Sequence, residues 1–218
     1  MERWPVYIEE LLKKSASELS ISIPDSAVPL FFRYLNELKQ WNQAINLTAI
    51  DNDREVVVKH FVDSLAGLKV IEMTSETALL DVGAGAGFPA LPLKFVRPDL
   101  LVEMLDPSEK KGAFLRYVVG ALGLQQTTVA TSKLEDYVKR RGSQRLYDYI
   151  VVRAFRVERF GLALGSLLKD VGKVVLYRSA KVGSDFRFDG LALVREVEYE
   201  LPAGYGHRVL SVFSKQQM

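Results

Sequence analysis

The fold of this chain is decided by one stretch, Leu79-Leu80-Asp81-Val82-Gly83-Ala84-Gly85-Ala86-Gly87-Phe88-Pro89. The apolar residues 78–82 predict a short buried strand, and the alternate glycines that follow predict a turn leading into a helix. Glycine adopts positive φ without strain, so a turn of this kind lets a ligand approach the bare main chain. The first turn of the following helix offers unpaired N–H groups and a partial positive charge. The stretch therefore predicts a βα unit with a ligand site at its turn.

Two acidic residues indicate which class of ligand this turn binds. The glycine spacing is G-x-G-x-G, which is tighter than the G-x-G-x-x-G of dinucleotide-binding folds, and Asp81 precedes Gly83 by two positions. A second apolar run ends at Asp106, where an acidic residue at the tip of the second strand accepts hydrogen bonds from ribose hydroxyls. This pattern is typical of S-adenosylmethionine-dependent methyltransferases. The alternative is a glycine turn that only closes a βα unit.

Strand and helix patterns alternate from residue 78 onwards and end in two strands. The predicted strands are 78–82, 100–105, 128–130, 147–152, 173–177, 191–201 and 208–213, with helices after Pro89, over 108–122, after a capping box at Ser132 to Glu135, and over 157–168. The last two strands are joined by a turn and form a hairpin. The sequence therefore predicts an α/β fold, a class I S-adenosylmethionine-dependent methyltransferase. Its Rossmann-like sheet is expected to be mostly parallel and seven-stranded, with an antiparallel C-terminal hairpin.

The part before residue 78 carries helical patterns only. Apolar residues recur at helical spacing over 4–19, over 28–43 and after a polar break at 51–53, with Asp25 or Ser26 as the expected N-cap of the second helix. We therefore predict an N-terminal helical extension (1–77) packed on a Rossmann-like methyltransferase domain (78–218).

His60 and Asp63 lie three positions apart on the third predicted helix, so they are neighbours on its surface. One interpretation is a catalytic pair. The other, which is favoured, is a local hydrogen bond that fixes this helix against the catalytic domain.

Composition excludes several kinds of site. The 218 residues contain no cysteine and two histidines, so disulfides, thiolate metal sites and cysteine nucleophiles are excluded and no metal site is expected. No apolar run is long enough to span a bilayer, and we expect a cytoplasmic protein, without a membrane partner, that is a monomer. Residues 1–78 hold 8 basic and 12 acidic side chains, and residues 79–218 hold 21 and 15. The basic second part suits an anionic partner such as RNA, although a mixed solvated surface is the favoured explanation of the net charge alone.

Several short motifs together resemble one family. They are Trp41-Asn42 with Ile45-Asn46-Leu47-Thr48-Ala49-Ile50, His60 with Asp63-Ser64-Leu65, the glycine stretch, Asp106-Pro107-Ser108 with Lys110-Lys111 and Phe114-Leu115, and Arg153-Ala154-Phe155. Over nearly its whole length the chain resembles the RsmG (GidB) family, bacterial methyltransferases that make N7-methylguanosine at position 527 of 16S rRNA, in the 530 loop. The motifs in front of the glycine stretch are the most selective ones.

The resemblance implies S-adenosylmethionine as cofactor and 16S rRNA, or the small ribosomal subunit, as partner. The implied cofactor-binding residues are Asp81, Gly83, Gly85, Gly87, Phe88, Asp106, Leu134, Glu135 and Arg153. Gly83 and Phe88 would lie in the cofactor loop, Asp106 would face the ribose, and the main chain at Leu134 and Glu135 would lie beside the adenine. Arg153 would close the site.

Candidates for positioning the substrate are aromatic and basic. They are Arg153, Phe155, Tyr177, Arg178 and Arg208. Aromatic rings stack on exposed bases, and arginines bind phosphates or the guanine O6 edge. The alternatives are core packing for the aromatic residues and a solvated or ion-paired surface for the arginines.

The chain departs from the family at three places on the predicted substrate side. Leu176-Tyr177-Arg178-Ser179 stands where the family usually has Leu-Lys-Gly, Arg208-Val209 stands where it has Arg-His, and Arg156 follows Phe155 where it has small residues.

The expected mechanism needs no general base, because N7 of guanine carries a lone pair and attacks the methyl group in line. Alternatives from other classes stay open. They are an RNA-binding protein that has lost the activity, a methyltransferase for another RNA or a small molecule, and a nicotinamide oxidoreductase, whose glycine spacing and parallel sixth strand the sequence lacks.

Overall fold

The computed structural model describes residues 6–72, 74, 76–142, 144–154, 157–183 and 186–216. Its strands are β1 (Ala78–Val82), β2 (Leu101–Asp106), β3 (Thr127–Thr131), β4 (Tyr147–Arg153), β5 (Leu168–Arg178), β6 (Leu191–Leu201) and β7 (Gly206–Lys215). They form one sheet in the order β3-β2-β1-β4-β5-β7-β6. Strands β1 to β5 are parallel, and β7 is antiparallel to both β5 and β6. The predicted sheet and its closing hairpin are confirmed.

The α-helices are α1 (Val6–Glu18), α2 (Val28–Ile45), α3 (Asp53–Val56), α4 (Asp63–Leu65), α5 (Ala90–Val96), α6 (Glu109–Ala121), α7 (Leu134–Arg141) and α8 (Gly161–Leu167). A π-helical stretch, Val57–Val62, joins α3 to α4, and 3₁₀ turns cover Ala66–Lys69, Glu158–Phe160 and Pro202–Gly204. A π-helical stretch inside a helix often marks a functional position, and this one carries His60.

Alternation along the strands divides the core between the two faces of the sheet. On one face, Leu79 and Val151 pack with the N-terminal helices, α5 and α6. On the other, Leu80 and Val152 pack with α7 and α8. The N-terminal helices therefore share a continuous apolar core with the sheet. None of the described helices combines the length and apolar character needed to cross a membrane.

The strand order places a crevice between β1 and β4, where the direction of winding reverses. Val82 pairs with Leu105 on one side and with Val152 on the other. In open parallel sheets, ligands bind outside the carboxyl ends of the strands at such a switch point.

Two predicted caps are wrong. Helix α2 begins at Val28, and its N-cap residue is Ala27, so no side chain caps it. Asp25 lies two positions before this N-cap and accepts a hydrogen bond from Lys13 Nζ over 2.8 Å instead. Helix α7 has Lys133 as its uncapped N-cap residue.

Ser132 lies one position too early to cap α7, and its hydroxyl donates to the Lys133 carbonyl instead. Strand β5 also begins earlier than predicted, at Leu168, and the helix before it divides into a 3₁₀ turn and α8.

Candidate functional site

A cavity of about 470 Å³ opens at the carboxyl ends of β1 and β2, within the size range of small-molecule sites. Four predicted cofactor residues line it: Gly83, Asp106, Leu134 and Glu135. The other lining residues are Val82, Leu105, Pro107, Ser108, Lys111, Ser132, Lys133, Ala154, Arg159 and Phe160. We call it the cofactor cavity. Asp81, Gly85, Gly87, Phe88 and Arg153 lie outside this lining.

The three glycines of the loop have separate roles. All have positive φ: 75° at Gly83, 59° at Gly85 and 98° at Gly87. A β-carbon at Gly87 would collide with the side chain of Leu91, whereas one at Gly85 would meet only the Gly83 carbonyl oxygen, at 3.8 Å. Gly87 thus serves packing, while Gly83 and Gly85 keep the loop backbone bare.

Asp106 organises the loop around the cavity. Its Oδ2 accepts from the Gly85 N–H at 2.9 Å, and its Oδ1 accepts from the Ser108 N–H at 2.9 Å. Ser108 in turn caps α6, because its hydroxyl accepts from the Lys111 N–H. The carboxylate thus connects the glycine loop to the loop after β2 and keeps lone pairs for a ligand hydroxyl.

Asp81 corrects the expectation that the first-turn N–H groups of α5 are open to a ligand. It is fully buried, and its Oδ2 accepts from the Ala90 N–H at 3.1 Å. The first turn of α5 is therefore capped from within, and its N–H groups are not all open to a ligand. Burial raises the pKa of Asp81 to about 7, against the hydrogen bond from Ala90.

The other carboxylate oxygen of Asp81, Oδ1, has no hydrogen-bond partner in the described part of the chain. A buried charged acceptor without a donor is costly, in keeping with the raised pKa of this carboxyl group.

A second cavity, of about 450 Å³, lies on the other side of the β4 end. It is lined by Asp63, Arg153, Ala154, Tyr177, Arg178, Ser179, Ala180 and Arg208. We call it the arginine cavity. Four of the five predicted substrate-positioning residues thus come together, and the fifth, Phe155, lies outside the described residues.

Arg153 turns towards the N-terminal helices. Its guanidinium pairs with Asp63 Oδ2 at 3.1 Å, donates to the Lys59 carbonyl at 2.6 Å and contacts Ser64 Oγ at 3.3 Å. Asp63 is almost fully buried and also accepts from the Tyr199 hydroxyl at 2.7 Å. The pair therefore joins β4, α4 and β6 at one point.

The side chains of His60 and Asp63 form no hydrogen bond with each other, so the predicted local hydrogen bond between them is wrong. Both residues contact Arg153 instead, and His60 Nδ1 lies 3.2 Å from the guanidinium. Arginine is always a donor, so Nδ1 accepts and Nε2–H donates to Thr48 Oγ1 over 2.9 Å. Burial, helped by the Arg153 charge, lowers the pKa of His60 to about 3.

Phe88 lies beneath His60 rather than in the cofactor cavity. Their rings stack with centroids 4.5 Å apart, and Phe88 also packs on Tyr34. The Tyr34 hydroxyl donates to the Ala86 carbonyl. Helix α2 thus holds the glycine loop from behind.

Tyr177 is buried, and its hydroxyl donates to the Ser64 carbonyl over 2.8 Å. Burial raises the pKa of Tyr177 well above its usual value. Gly67 makes room for it, because a β-carbon there would collide with the Tyr177 hydroxyl.

The two other arginines of this cavity are held by main-chain oxygens. Arg178 Nε donates to the Ala180 carbonyl at 3.2 Å, and Arg208 donates to the His207 carbonyl at 2.7 Å. Arg208 Nε lies 3.9 Å from Asp63 Oδ1.

Ala154, Arg159 and Phe160 also line the cofactor cavity, although the sequence does not predict them there. The last two belong to the turn before α8, and no local motif marks them. Only the position of that turn at the carboxyl end of β4 connects them with the cofactor cavity. Asp63 was noted as part of a motif, but its partner Arg153 follows ninety positions later.

Comparison with known proteins identifies the family. The sequence model described as "GidB: rRNA small subunit methyltransferase G" matches residues 28–190. The chain belongs to this family. Related proteins named "Ribosomal RNA small subunit methyltransferase G" include that of Geotalea uraniireducens, 35% identical over 215 residues, with 95% of this chain and 96% of that protein covered.

The protein of that name from Pelotomaculum thermopropionicum is 41% identical over 147 residues, which cover 67% of this chain. The match spans 62% of that relative's length. The matches to the Desulforamulus reducens and Acetivibrio thermocellus proteins likewise span 60% and 63% of those relatives.

Solved structures show the same fold. A SAM-dependent methyltransferase from Aquifex aeolicus is 17% identical, with a TM-score of 0.53 and coverage of 77% of this chain and 96% of that one. TrmN from Thermus thermophilus is 19% identical, with a TM-score of 0.54 and coverage of 72% and 49%.

S-adenosylmethionine is the cofactor of this family and fold. The observed residues fit it: the bare glycine loop allows a close main-chain approach, and the Asp106 carboxylate supplies acceptors for hydroxyl groups.

Proposed function

We propose that this protein transfers the methyl group of S-adenosylmethionine to N7 of a guanine in 16S rRNA, at position 527 in the 530 loop. The observation that carries the proposal is the pair of adjoining cavities at the β1/β4 crevice. One is built from a glycine loop and carboxylates, and the other carries three arginines. A cofactor site beside a basic pocket is the arrangement expected of an enzyme that modifies RNA.

The residues of the cofactor cavity have separate tasks in this proposal. Asp106 accepts from the ribose hydroxyls, the main chain at Leu134 and Glu135 borders the adenine, and Gly83 lets the ligand approach the loop. Asp81, buried beneath the loop, holds the first turn of α5 in place through its hydrogen bond from Ala90. When bound, the cofactor supplies a methyl group on a sulfonium, a good leaving group for attack by a nitrogen lone pair.

The chain supplies position rather than a base. The N7 lone pair forms the new N–C bond while the electron pair of the breaking S–C bond returns to sulfur, so no proton has to be removed. The titratable groups beside the arginine cavity suit this chemistry, because Asp63 already accepts from Arg153 and Tyr199. His60 is neutral and bonded on both ring nitrogens.

The arginine cavity holds the nucleotide in this proposal. Arg178 and Arg208 bind phosphate or the O6 edge of guanine, and Arg153, held by Asp63, forms part of the wall of this cavity. Tyr177 supports the wall, because its hydroxyl is bound to Ser64. Phe155 remains the candidate for stacking on the base.

The test is methyl transfer to small ribosomal subunits from cells that lack this modification, with methyl-labelled cofactor and mass analysis of the digested RNA. We expect label on N7 of the guanine at position 527, and none on subunits that already carry the methyl group. Label at another guanine, or on a small molecule, would identify that group as the substrate instead of the guanine at position 527. Cofactor binding and RNA binding without transfer would favour an RNA-binding protein that has lost the activity.

A matched pair of variants tests the role of the arginine cavity. Arg208 and Arg195 both lie on the C-terminal hairpin, but only Arg208 lines the cavity. Arg208→Ala is expected to raise the KM for subunits about tenfold or more, by loss of a charge-assisted contact. Arg195→Ala is expected to change it by less than threefold. Equal effects of the two substitutions on the KM for subunits would mean that the RNA does not bind in the arginine cavity.

A further inference from the structure

Ala154 lines both cavities. It belongs to the walls of the cofactor cavity and of the arginine cavity, and it is the residue that their described linings share. Its side chain is exposed, although Val151 and Val152, just before it in the chain, are buried. The wall between the two cavities is therefore thin at this residue.

The fold explains why the two cavities meet there. Ala154 directly follows β4, which pairs with β1 on one side and with β5 on the other. The cofactor cavity opens towards β1 and the arginine cavity towards β5. The end of β4 is therefore the edge of the switch-point crevice.

The backbone at Ala154 and the direction of Arg153 leave a small side chain between the two cavities. Ala154 has a φ of 58°, a left-handed conformation that non-glycine residues rarely adopt. Arg153, just before it, turns its guanidinium away to Lys59 and Asp63. What faces the crevice after this turn is a single methyl group, with the long side chain moved aside.

We propose that Ala154 forms the floor of the passage through which the methyl group moves from the cofactor to the guanine, and that its small side chain keeps this passage open. In that step the S–C bond breaks, the N7–C bond forms, and the positive charge moves from sulfur to the guanine. The inference rests on the proposed function, and it adds a residue that limits the approach of the two reactants.

Ala154→Asn tests the passage, because asparagine fills it and still tolerates positive φ. We expect kcat to fall about 100-fold, the effect of a displacement of about 1 Å between reacting groups. The Kd for S-adenosylmethionine, measured by calorimetry, and the KM for subunits should each change less than threefold. The value of kcat should fall progressively from Ala154→Gly through Ala154→Ser to Ala154→Asn.

The chain offers a closely matched control. Ala203, in the turn between β6 and β7, has the same φ of 58°, is exposed and lines neither cavity. Ala203→Asn should leave kcat unchanged. If it lowers kcat as much as Ala154→Asn does, the effect belongs to the backbone conformation and the passage is overturned.

The remaining outcomes separate this inference from the proposed function. If the wild-type protein methylates subunits and Ala154→Asn does so at an undiminished rate, the passage alone is overturned. If Ala154→Asn loses cofactor affinity in parallel with kcat, Ala154 is part of the cofactor site and the passage is again overturned. If the wild-type protein transfers no methyl group, the proposed function fails first. Should Ala154→Asn not fold, the Gly and Ser variants still give the expected order of rates.

Discussion

The two cavities lie at one edge of the sheet, but different parts of the chain line them. The cofactor cavity is lined mainly by residues that follow β1, β2 and β3, with Ala154, Arg159 and Phe160 added after β4. The arginine cavity is built from charged side chains that come from α4, β4, β5 and β7. Its central ion pair, Arg153 with Asp63, joins the N-terminal helices to the sheet.

This difference predicts different sensitivities. A main-chain loop depends on glycine and tolerates changes in the charges around it. A buried charge pair depends on every partner, because removing one leaves the other uncompensated in a dry environment. Substitutions in the glycine loop and in the buried charge pair should therefore differ in the size of their effects.

Asp63→Ala should have the largest effect. It leaves the Arg153 guanidinium buried without its carboxylate, which typically costs about 3–5 kcal/mol of the free energy of unfolding. Urea denaturation followed by circular dichroism measures it. Tyr199→Phe, which removes one hydrogen bond to the same carboxylate, should cost about 1–3 kcal/mol. A loss below 1 kcal/mol for Asp63→Ala would mean that water replaces the carboxylate and that the pair is not dry.

On the cofactor side of the molecule, Asp81 makes the free energy of unfolding depend on pH. Its folded pKa of about 7 lies above the ordinary value of 3.8, so between those pH values the folded state holds a proton that the unfolded state has released. Stability therefore falls as pH rises through this window, by up to about 4 kcal/mol in total.

Asp81→Asn removes this dependence and keeps an acceptor for the Ala90 N–H. The difference in unfolding free energy between the variant and the cofactor-free wild type should grow in favour of the variant from about pH 4 to about pH 7. A constant difference would show that Asp81 ionises normally in the folded protein.

The glycine loop gives a paired test. Gly87→Ala should destabilise the protein by about 1–3 kcal/mol, because the added methyl group meets Leu91 and φ is 98°. Gly85→Ala adds a methyl group in open space, so it should cost about 1 kcal/mol. Thermal unfolding compares the two variants. Equal losses would mean that backbone strain, and not packing, sets the cost at both positions.

The smallest expected effects are at two serines on the rim of the cofactor cavity. Ser108 caps α6, so Ser108→Ala should cost about 1 kcal/mol. Ser132 does not cap α7, so Ser132→Ala should cost less than about 0.5 kcal/mol. A larger loss at Ser132 than at Ser108 would restore the capping box that the sequence predicts.

Four of the nine residues predicted to bind the cofactor line the cofactor cavity, because each lies just after a strand that is readable in the sequence. The glycine loop, Asp106, Leu134 and Glu135 each follow a strand whose apolar run is readable, and parallel strands bring such ends to one edge. The boundary between residues 77 and 78 remains a prediction, since the apolar core runs across it without a break.

The arginine side was less predictable because its partners are set by tertiary contact. Tyr177 was a candidate for stacking on the substrate, yet it points into the core because Gly67 leaves it room. Phe88 was expected against the cofactor and instead lies under His60. Neither orientation follows from the residue types or their spacing.

The sequence by itself determined the strand–helix alternation, the glycine turn and the family, because these depend on periodicity and on motifs a few residues long. Only the tertiary structure decided that Arg153 turns to Asp63 and that Ala154 stands between two cavities. The physical reason is the range of the interactions: backbone propensity acts over neighbouring residues, whereas buried charges and cavity walls depend on which distant segments the folded chain brings together.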